Sequence, residues 1–444
     1  MARSSSTPQK VFGGRNTRIG DSEDPHPIYC VWEITLECDL GCRHCGSRAG
    51  EARPDELSTD ECLDVVDQLH EMGIREVTLI GGEAYLRDDW DTIAAAITDR
   101  GMHCSMTTGA RNLSDERLQR AVDAGMSTIS ISIDGLERTH DVLRGAKGAW
   151  RAATDAARRI ADSPIQLGTN SQINRLSMPE LPALADLLVD IGTDAWQIQI
   201  TVPMGRAADR PEILLQPSDL LDLFPMLVWI KQSRLEPNDI RLQPGNNIGY
   251  FGPYEHLLRP GGKDGAVWSG CKAGTWVLGL EADGKIKGCP SLPSTEYTGG
   301  NIREMTIADA VDHTEQLNSL DERTRDDLWG YCADCYYGDH CLGGCTWTAH
   351  CLMGEPGNNP YCIHRALQFD NEGKRERLTK VDAAPGDPFD NGRFELVVED
   401  RPADHSEALE TILDIPADEV ADLDYRQQDS AWDLRHLAKS LQES

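Results

Sequence analysis

Short apolar runs alternate with amphipathic, helix-length stretches in the first half of the chain. This rhythm predicts strands that alternate with helices, and therefore parallel strands joined by right-handed crossovers. The predicted strands are Ile28–Thr35, Glu76–Ile80, Cys104–Thr108, Thr128–Ile133, Ile165–Asn170 and Trp196–Thr201. The predicted helices are Ser58–Met72, Trp90–Arg100, Ser114–Ala124, Ala149–Ala161 and Met178–Ile191. Six units are fewer than the eight of a closed barrel. We therefore predict an α/β fold with a partial (β/α)6 TIM-like barrel, open on one side, whose active site lies at the C-terminal strand ends.

The pattern changes along the chain and predicts five segments. The bridge, residues 205–270, contains a predicted helix at Ser218–Lys231. The last segment, residues 369–444, contains a strand-like Phe394–Val398 and a predicted closing helix at Ala431–Leu441. Because the last segment is acidic and poor in apolar residues, we expect a loosely packed extension. The segments are an N-terminal arm (1–27), the partial barrel (28–204), the bridge (205–270), a Cys-rich domain (271–368) and the acidic C-terminal extension (369–444).

Composition narrows the function classes. Of the 444 residues, 74 are acidic and 43 basic, which gives a net charge of −31. This charge argues against a nucleic-acid partner, whose phosphates require a basic surface. We interpret the acidity as a solvated surface, with a preference for a basic substrate as the alternative. No membrane span or export signal is recognisable, so the expected location is cytoplasmic and no membrane partner is expected.

Three of the 14 cysteines follow the first predicted strand closely. Cys38, Cys42 and Cys45 stand in WEITLECDLGCRHCGSRAG with the spacing C-x3-C-x2-C. Three thiolates can hold three irons of a cubane cluster and leave the fourth iron open to another ligand. A zinc site with His44 as fourth ligand is the alternative.

A second group of eight cysteines lies between residues 271 and 362. Short spacings in a chain without an export signal favour metal binding over disulfides. Two structural zinc sites are the alternative to iron–sulfur clusters. We interpret Cys30, Cys62 and Cys104, which fall in strand and helix patterns, as packing residues.

In the first half of the chain, the motifs at the predicted strand ends resemble those of radical S-adenosylmethionine (SAM) enzymes. The segment LIGGEAYLR contains a GGE motif, although Ala84 replaces the usual Pro, and SISIDG, TNSQIN, VPMGRA and THDVLRGAKG also resemble stretches of that family. The matching residues are Gly81, Gly82, Glu83, Ser132, Asp134, His140, Arg144, Asn170, Gly205 and Arg206.

This resemblance implies specific roles. Cys38, Cys42 and Cys45 would hold a [4Fe–4S] cluster whose open iron binds the methionine part of SAM. His44 and Arg206 would lie near the adenine, and the Glu83 carboxylate would pair with the methionyl ammonium. The remaining implied SAM contacts are Gly81, Gly82, Ser132, Asp134 and Asn170.

The second cysteine region resembles the SPASM domain of radical SAM enzymes that modify peptides and proteins. The resemblance implies two auxiliary iron–sulfur clusters, and with the barrel motifs it covers roughly residues 28–365. One cluster would use Cys332, Cys335, Cys341 and Cys362, and the other Cys271, Cys289 and Cys345. The fourth ligand of the latter stays open between water, a substrate atom, Asp264 and Cys351, for which a free thiol is also possible.

The implied function is a maturase of a ribosomally made peptide, similar to pyrroloquinoline-quinone peptide cyclases. It would abstract hydrogen from a side chain and form a crosslink, a thioether or an epimer. A flavodoxin or ferredoxin would be the reductant. The alternatives are a sulfatase-type formylglycine maturase and an enzyme that modifies a tetrapyrrole or another small molecule. An iron–sulfur electron carrier would have no need of the GGE motif.

Overall fold

A computed structural model describes residues 26–259, 268, 270–318 and 322–401. Its larger sheet is mixed and joins strands from the predicted barrel, the bridge and the Cys-rich domain, whereas β11 and β12 form a separate hairpin. The strands are β1 (Tyr29–Glu33), β2 (Glu76–Ile80), β3 (His103–Thr108), β4 (Thr128–Ser132), β5 (Gln166–Ile173), β6 (Ala195–Ile200), β7 (Arg241–Pro244), β8 (Val277–Leu280), β9 (Lys285–Lys287), β10 (Thr298–Asn301), β11 (Lys374–Asp382) and β12 (Arg393–Asp400).

The order of the larger sheet is β10-β9-β8-β1-β2-β3-β4-β5-β6-β7. Strands β1 to β7 pair in parallel with their neighbours in chain order, and β8 pairs in parallel with β1. The six predicted strands are confirmed as β1 to β6, and the predicted α/β partial barrel is confirmed. Their C-terminal ends meet at one edge of the sheet, which places the loops that follow them side by side.

The predicted barrel helices are also confirmed, with ends shifted by a few residues. The side chain of Ser58 accepts a hydrogen bond from Glu61 N and Glu61 bonds back to Ser58 N, a capping box that begins the first helix. The α-helices are α1 (Thr59–Glu71), α2 (Trp90–Asp99), α3 (Asp115–Asp123), α4 (Glu137–Arg144), α5 (Ala149–Ala161), α6 (Leu181–Ile191), α7 (Leu220–Ile230), α8 (Glu255–Leu258), α9 (Ser294–Tyr297), α10 (Ile307–His313), α11 (Glu315–Asn318), α12 (Gly338–Cys341), α13 (Thr346–Met353) and α14 (Ile363–Asn371).

The main core lies between the sheet and the helices that cover it. Cys30 on β1, Cys62 on α1 and Cys104 on β3 are all buried in this core, as their apolar surroundings in the sequence predict. One helical stretch of the described residues, Pro211–Asn238, is long and apolar enough to cross a membrane, but it is mostly buried within the protein. Its apolar surface is therefore used for packing against α6, α8 and α14.

The start of the acidic extension differs from the expected loose packing. The predicted strand Phe394–Val398 lies within β12, which pairs with β11 in an antiparallel hairpin. Phe394 and Leu378 are buried in the main core, and Gln216 bonds to the backbone of Leu378 at the outer edge of β11. A few apolar positions on one face are enough to fix this hairpin despite its many charged residues. The predicted helix Ala431–Leu441 lies outside the described residues.

Candidate cofactor and metal sites

The loop after β1, residues 34–50, is the cysteine loop. It brings Cys38, Cys42 and Cys45 together. The three side chains share a small apolar cluster with Leu40, Ala146 and Ala149. The Leu40 amide donates to Cys38 Sγ at 3.4 Å, and Ser47 Oγ lies 3.5 Å from Cys45 Sγ. Amide and hydroxyl groups directed at sulfur are suited to thiolates that share a metal cluster.

The GGE motif packs directly on this loop. Gly82 N donates to Thr35 O at 2.9 Å, and Glu83 N donates to Glu37 O at 2.7 Å. A Cβ on Gly81 would clash with Thr35 O, and one on Gly82 would clash with Glu37 O and lie 2.7 Å from Cys38 Cβ. The two glycines therefore permit a contact between backbones that any larger residue would prevent.

The carboxylate of Glu83 is buried and bonded to the end of β3. Gly109 N donates to one oxygen at 2.6 Å, and Thr108 Oγ1 donates to the other. Burial raises the pKa of Glu83 to about 7, and the bonds from Thr108 and Gly109 oppose this shift. In this structure Glu83 joins the second and third strand ends, so its pairing with an ammonium stays a prediction.

Asp134, just after β4, is the centre of a buried polar network. Its carboxylate lies 2.7 Å from Arg144 Nη2 and 3.2 Å from His44 Nε2, and it accepts a hydrogen bond from Gln172 N at 2.9 Å. Burial by itself would raise the pKa of Asp134, but the charges of Arg144 and His44 hold it well below the usual range. His140 accepts a bond from Asp134 N and completes the network.

Arg144, the last residue of α4, connects this network to the cysteine loop. Its Nη1 lies 3.7 Å from Cys42 Sγ. Burial raises the pKa of the Cys42 thiol to about 11, and the guanidinium of Arg144 acts in the opposite direction. A cation beside the sulfur favours the thiolate, the form that binds a metal.

The loop after β6 supports the other side of the cysteine loop. Arg206 Nε donates to Cys42 O at 2.7 Å, Arg206 Nη2 donates to Ala49 O at 3.0 Å, and its amide donates to Cys45 O at 2.9 Å. Gly205 has a φ of +57°, and a Cβ there would clash with the carbonyls of Cys45 and Gly46. The guanidinium of Arg206 thus contacts loop backbone, whereas a contact with adenine stays a prediction.

Ser132 and Asn170 lie side by side at the ends of β4 and β5. They are direct partners in the register of these strands, and both are partly exposed. Neither side chain forms a hydrogen bond within the described residues. Both are therefore free to contact a ligand at this edge of the sheet.

The residues at this edge fit the cluster and the SAM that the sequence implies. Three thiolates share one loop, the donor set of a cubane with one open iron. Next to them, two buried polar atoms of the described residues, Asp39 Oδ1 and His44 Nδ1, have no hydrogen-bond partner. Because a buried polar atom is costly without a partner, these atoms indicate a polar ligand beside the cysteines.

In the Cys-rich domain, four predicted ligands line one cavity. Its wall includes the cysteines of one predicted auxiliary set together with Tyr250, Phe251 and Tyr337. A largely apolar cavity with four sulfur atoms in its wall matches the donor set of an iron–sulfur cluster held by four cysteines. The four are Cys332, Cys335, Cys341 and Cys362.

The other predicted set lies close by. Burial is the main cause that raises the pKa of Cys345, and negative charges on Cys271 and Cys289 raise it further. These three thiols therefore lie near one another. Cys351 is fully buried and packs against Val202 and Met204. Asp264 lies outside the described residues.

Sequence reasoning missed two charged pairs beside these sites. The guanidinium of Arg365 pairs with both oxygens of Glu376, each at 2.6 Å, and stacks on Tyr331 next to Cys332. Arg48 of the cysteine loop pairs with Asp390 at 2.7 Å. Glu376 lies on β11, and Asp390 lies in the turn between β11 and β12. No local motif could have shown which distant residues this hairpin contacts.

The chain is similar to a known protein family and to characterised proteins. The Radical SAM superfamily profile matches residues 32–181. An AdoMet-dependent heme synthase of Methanosarcina barkeri is 30% identical over 353 residues, which cover 76% of this chain and 97% of that protein. A PqqA peptide cyclase of Bradyrhizobium diazoefficiens is 27% identical over 377 residues, which cover 81% and 94%.

A solved structure shares the fold. Streptococcus suis SuiB bound to its precursor peptide SuiA superposes with a TM-score of 0.59 at 16% identity, over 78% of this chain and 78% of that one. At this identity the similarity concerns the fold alone.

Proposed function

Because this chain belongs to the radical SAM superfamily, we propose that it is a maturase that modifies a side chain of a ribosomally made peptide. SAM and a [4Fe–4S] cluster are its cofactors, and the cysteine-rich region indicates auxiliary clusters. Cys38, Cys42 and Cys45 would hold the radical-site cluster. The crosslink, thioether or epimer predicted from the sequence remains the expected class of product, with a flavodoxin or ferredoxin as the expected reductant.

The residues around the cysteine loop would support the loop and compensate the buried charges beside it. When bound, the cluster supplies the electron that cleaves SAM and provides a 5′-deoxyadenosyl radical for hydrogen abstraction. The chain itself would hold the loop from both sides, through Gly82 and Arg206. Asp134 and Arg144 balance their charges within the buried network, so that neither is left uncompensated next to the site.

One observation favours a peptide substrate: among the residues that the structure describes, the outer edge of β12 has no partner strand. The backbone of Leu378 on β11 bonds to Gln216 on the side away from β12. Leu378 and Leu396 are opposite each other in the register and form a non-hydrogen-bonded pair. The N–H and C=O of Leu396 therefore point away from β11. By the same alternation those of Phe394 and Val398 face outward, and within the described residues nothing bonds to them. An extended peptide can add to such an edge as a strand.

The edge borders an open cavity of about 640 Å³. Its apolar lining residues are Tyr331, Met353, Phe369, Phe394, Leu396 and Val398. Val398 at the edge is 51% exposed. The cavity therefore offers apolar contacts for alternate side chains of a peptide next to Cys332, one of the proposed auxiliary cluster ligands.

A second candidate substrate is a tetrapyrrole. The similarity to the heme synthase of Methanosarcina barkeri over nearly its whole length favours it. A flat macrocycle would use the apolar walls of the cavity, whereas it has no use for the backbone groups at the edge of β12.

The two candidates are separated by one assay. The anaerobically reconstituted protein is given SAM and dithionite, and then either small peptides encoded beside its gene or an iron porphyrin with propionate groups. We expect 5′-deoxyadenosine to form in proportion to a mass change of a peptide. Deuterium placed in that peptide should appear in the 5′-deoxyadenosine.

The control is the Cys42→Ala variant under the same conditions, which should form neither product. A mass change of the porphyrin with unchanged peptides would replace the peptide proposal by the tetrapyrrole one. SAM cleavage by Cys42→Ala at the wild-type rate would remove the radical-site assignment altogether.

A further inference from the structure

The turn that joins β11 to β12 lies against the end of the cysteine loop. Phe389 N donates to Gly46 O at 3.2 Å, and Gly205 N donates to Asp390 O at 2.7 Å. Met204 and Asn391 form an isolated antiparallel bridge. Three segments that are far apart in the sequence therefore meet just after Cys45.

Arg48 connects these segments through its side chain. Its Nε donates to Asp390 Oδ1 at 2.7 Å, Nη2 donates to Gly205 O at 2.9 Å, and Nη1 donates to Asp209 Oδ2 at 2.6 Å. The other carboxylate oxygen of Asp390 accepts from Gly386 N at 2.5 Å. Arg48 has a φ of +52°, a conformation that a non-glycine residue keeps when surrounding contacts hold it.

The far side of the same turn is held by the Cys-rich domain. The ring of Phe389 lies 3.9 Å from Nζ of Lys287, which is fully buried and bonded to Glu281 at 2.7 Å. Lys287 precedes Cys289 by two positions. The turn thus bridges the cysteine loop and the region of one proposed auxiliary cluster.

We propose that Asp390 is a positioning residue for the radical site. Through Arg48 it fixes the C-terminal side of the cysteine loop, and with it the direction of the Cys45 side chain. The start of the loop is held by Gly82 and Glu83, and its middle by the bond from Arg43 N to Leu143 O at 2.7 Å. The role in radical chemistry rests on the proposed function, whereas the effect on the loop does not.

The test compares Asp390→Asn with Asp382→Asn. Both changes remove one carboxylate from the same hairpin, but Asp382 is 63% exposed and pairs with Arg393 of β12 rather than with Arg48. The first measurement is amide hydrogen exchange of the cluster-free chains at residues 43–50, 205 and 206. The second is the KM for SAM and the kcat for 5′-deoxyadenosine formation by the reconstituted proteins, with the EPR change of the reduced cluster on SAM addition.

We expect Asp390→Asn to exchange faster at these amides and to show a KM for SAM raised about tenfold, the loss typical of one charge-assisted hydrogen bond. Its kcat should change much less, and the EPR change should need correspondingly more SAM. Asp382→Asn should match the wild type. Arg48→Lys should reproduce the defect, and the double variant should add little, because both residues act through one contact.

Wild-type exchange and KM in Asp390→Asn would overturn the proposal. A uniform rise in exchange across the whole chain, without a change in KM, would also overturn it, because that result describes a general loss of structure. Failure of the proposed function would look different: the Cys42→Ala variant would still cleave SAM, while the local exchange effect of Asp390→Asn persisted.

Discussion

Arg144 lies between Asp134 and Cys42, with Nη2 2.7 Å from the carboxylate and Nη1 3.7 Å from the sulfur. Asp134 is fully buried and Arg144 nearly so. One cation therefore compensates a buried carboxylate and favours the thiolate of a proposed cluster ligand. The contact joins the end of α4 to the cysteine loop after β1.

Removal of the Arg144 charge should destabilise the cluster-free protein. Arg144→Met leaves the buried carboxylate of Asp134 without its nearest cation, which costs about 3–5 kcal/mol in the free energy of unfolding. Denaturant titration of the apo protein measures this loss. The double variant Arg144→Met/Asp134→Asn should recover part of the stability, because the unpaired charge is then absent. Equal losses in the single and double variants would contradict this account of the pair.

The radical-site cluster should depend on each cysteine of the loop. Reconstituted wild-type protein should bind about twelve irons, or about ten if one auxiliary cluster is smaller. Cys38→Ala and Cys45→Ala should lose about four of these irons and all 5′-deoxyadenosine formation. Cys104→Ala is the matched control: Cys104 lies in the core, and this variant should keep the irons at a cost in stability of about 1 kcal/mol. An iron content near four in the wild type would rule out the auxiliary clusters.

The GGE glycines should be needed for the shape of the loop as well as for any SAM contact. Gly82→Ala places a Cβ against Glu37 O and Cys38. We expect the variant to reconstitute with about four irons fewer and to lose SAM cleavage. Gly50→Ala is the control, because a Cβ at Gly50 has no atom within 4 Å. Normal iron content in Gly82→Ala would show that the loop tolerates the displacement.

Glu376 should tune one auxiliary cluster. Its carboxylate neutralises Arg365, which lies beside Cys332 and Cys362. Glu376→Gln leaves the guanidinium charge uncompensated near the cluster, so the more negative, reduced form is favoured and the midpoint potential should rise. An EPR redox titration measures it.

The matched control for that titration is Glu399→Gln, in the same hairpin. Glu399 pairs with Arg375 and Arg377 at a partly exposed site. This variant should keep the wild-type potential. An equal shift in both variants would show a general effect of the net charge of the hairpin.

The edge of β12 should contribute to peptide affinity. Leu396→Pro removes an N–H that faces away from β11, so the hairpin keeps its own hydrogen bonds. With the peptide that carries the modification, we expect the Kd to rise about tenfold, as for one or two lost hydrogen bonds. SAM cleavage without peptide should stay unchanged. An unchanged Kd, measured by fluorescence anisotropy, would exclude this edge as the binding site.

Much of the fold and part of the site were predictable from the sequence. Strand and helix periods are local properties, so β1 to β6 and the barrel helices were found within a few residues of their observed ends. The spacing of Cys38, Cys42 and Cys45 on one short loop is also local. The expectation of a loose extension after residue 369 was wrong up to Arg401. A few apolar residues such as Leu378 and Phe394 pack in the core there. Because apolar residues are sparse in this acidic segment, its sequence did not indicate that packing.

The sequence by itself determined the order of the elements and the close spacing of Cys38, Cys42 and Cys45, because hydrophobic periodicity and short ligand spacing are properties of neighbouring residues. Only the tertiary structure decided how the cysteine loop is held. Arg48 and Asp390 stand 342 positions apart, and Arg206 bonds to backbone carbonyls that carry no sequence signal. Such contacts depend on the path of the whole chain. They place the hairpin beside the loop.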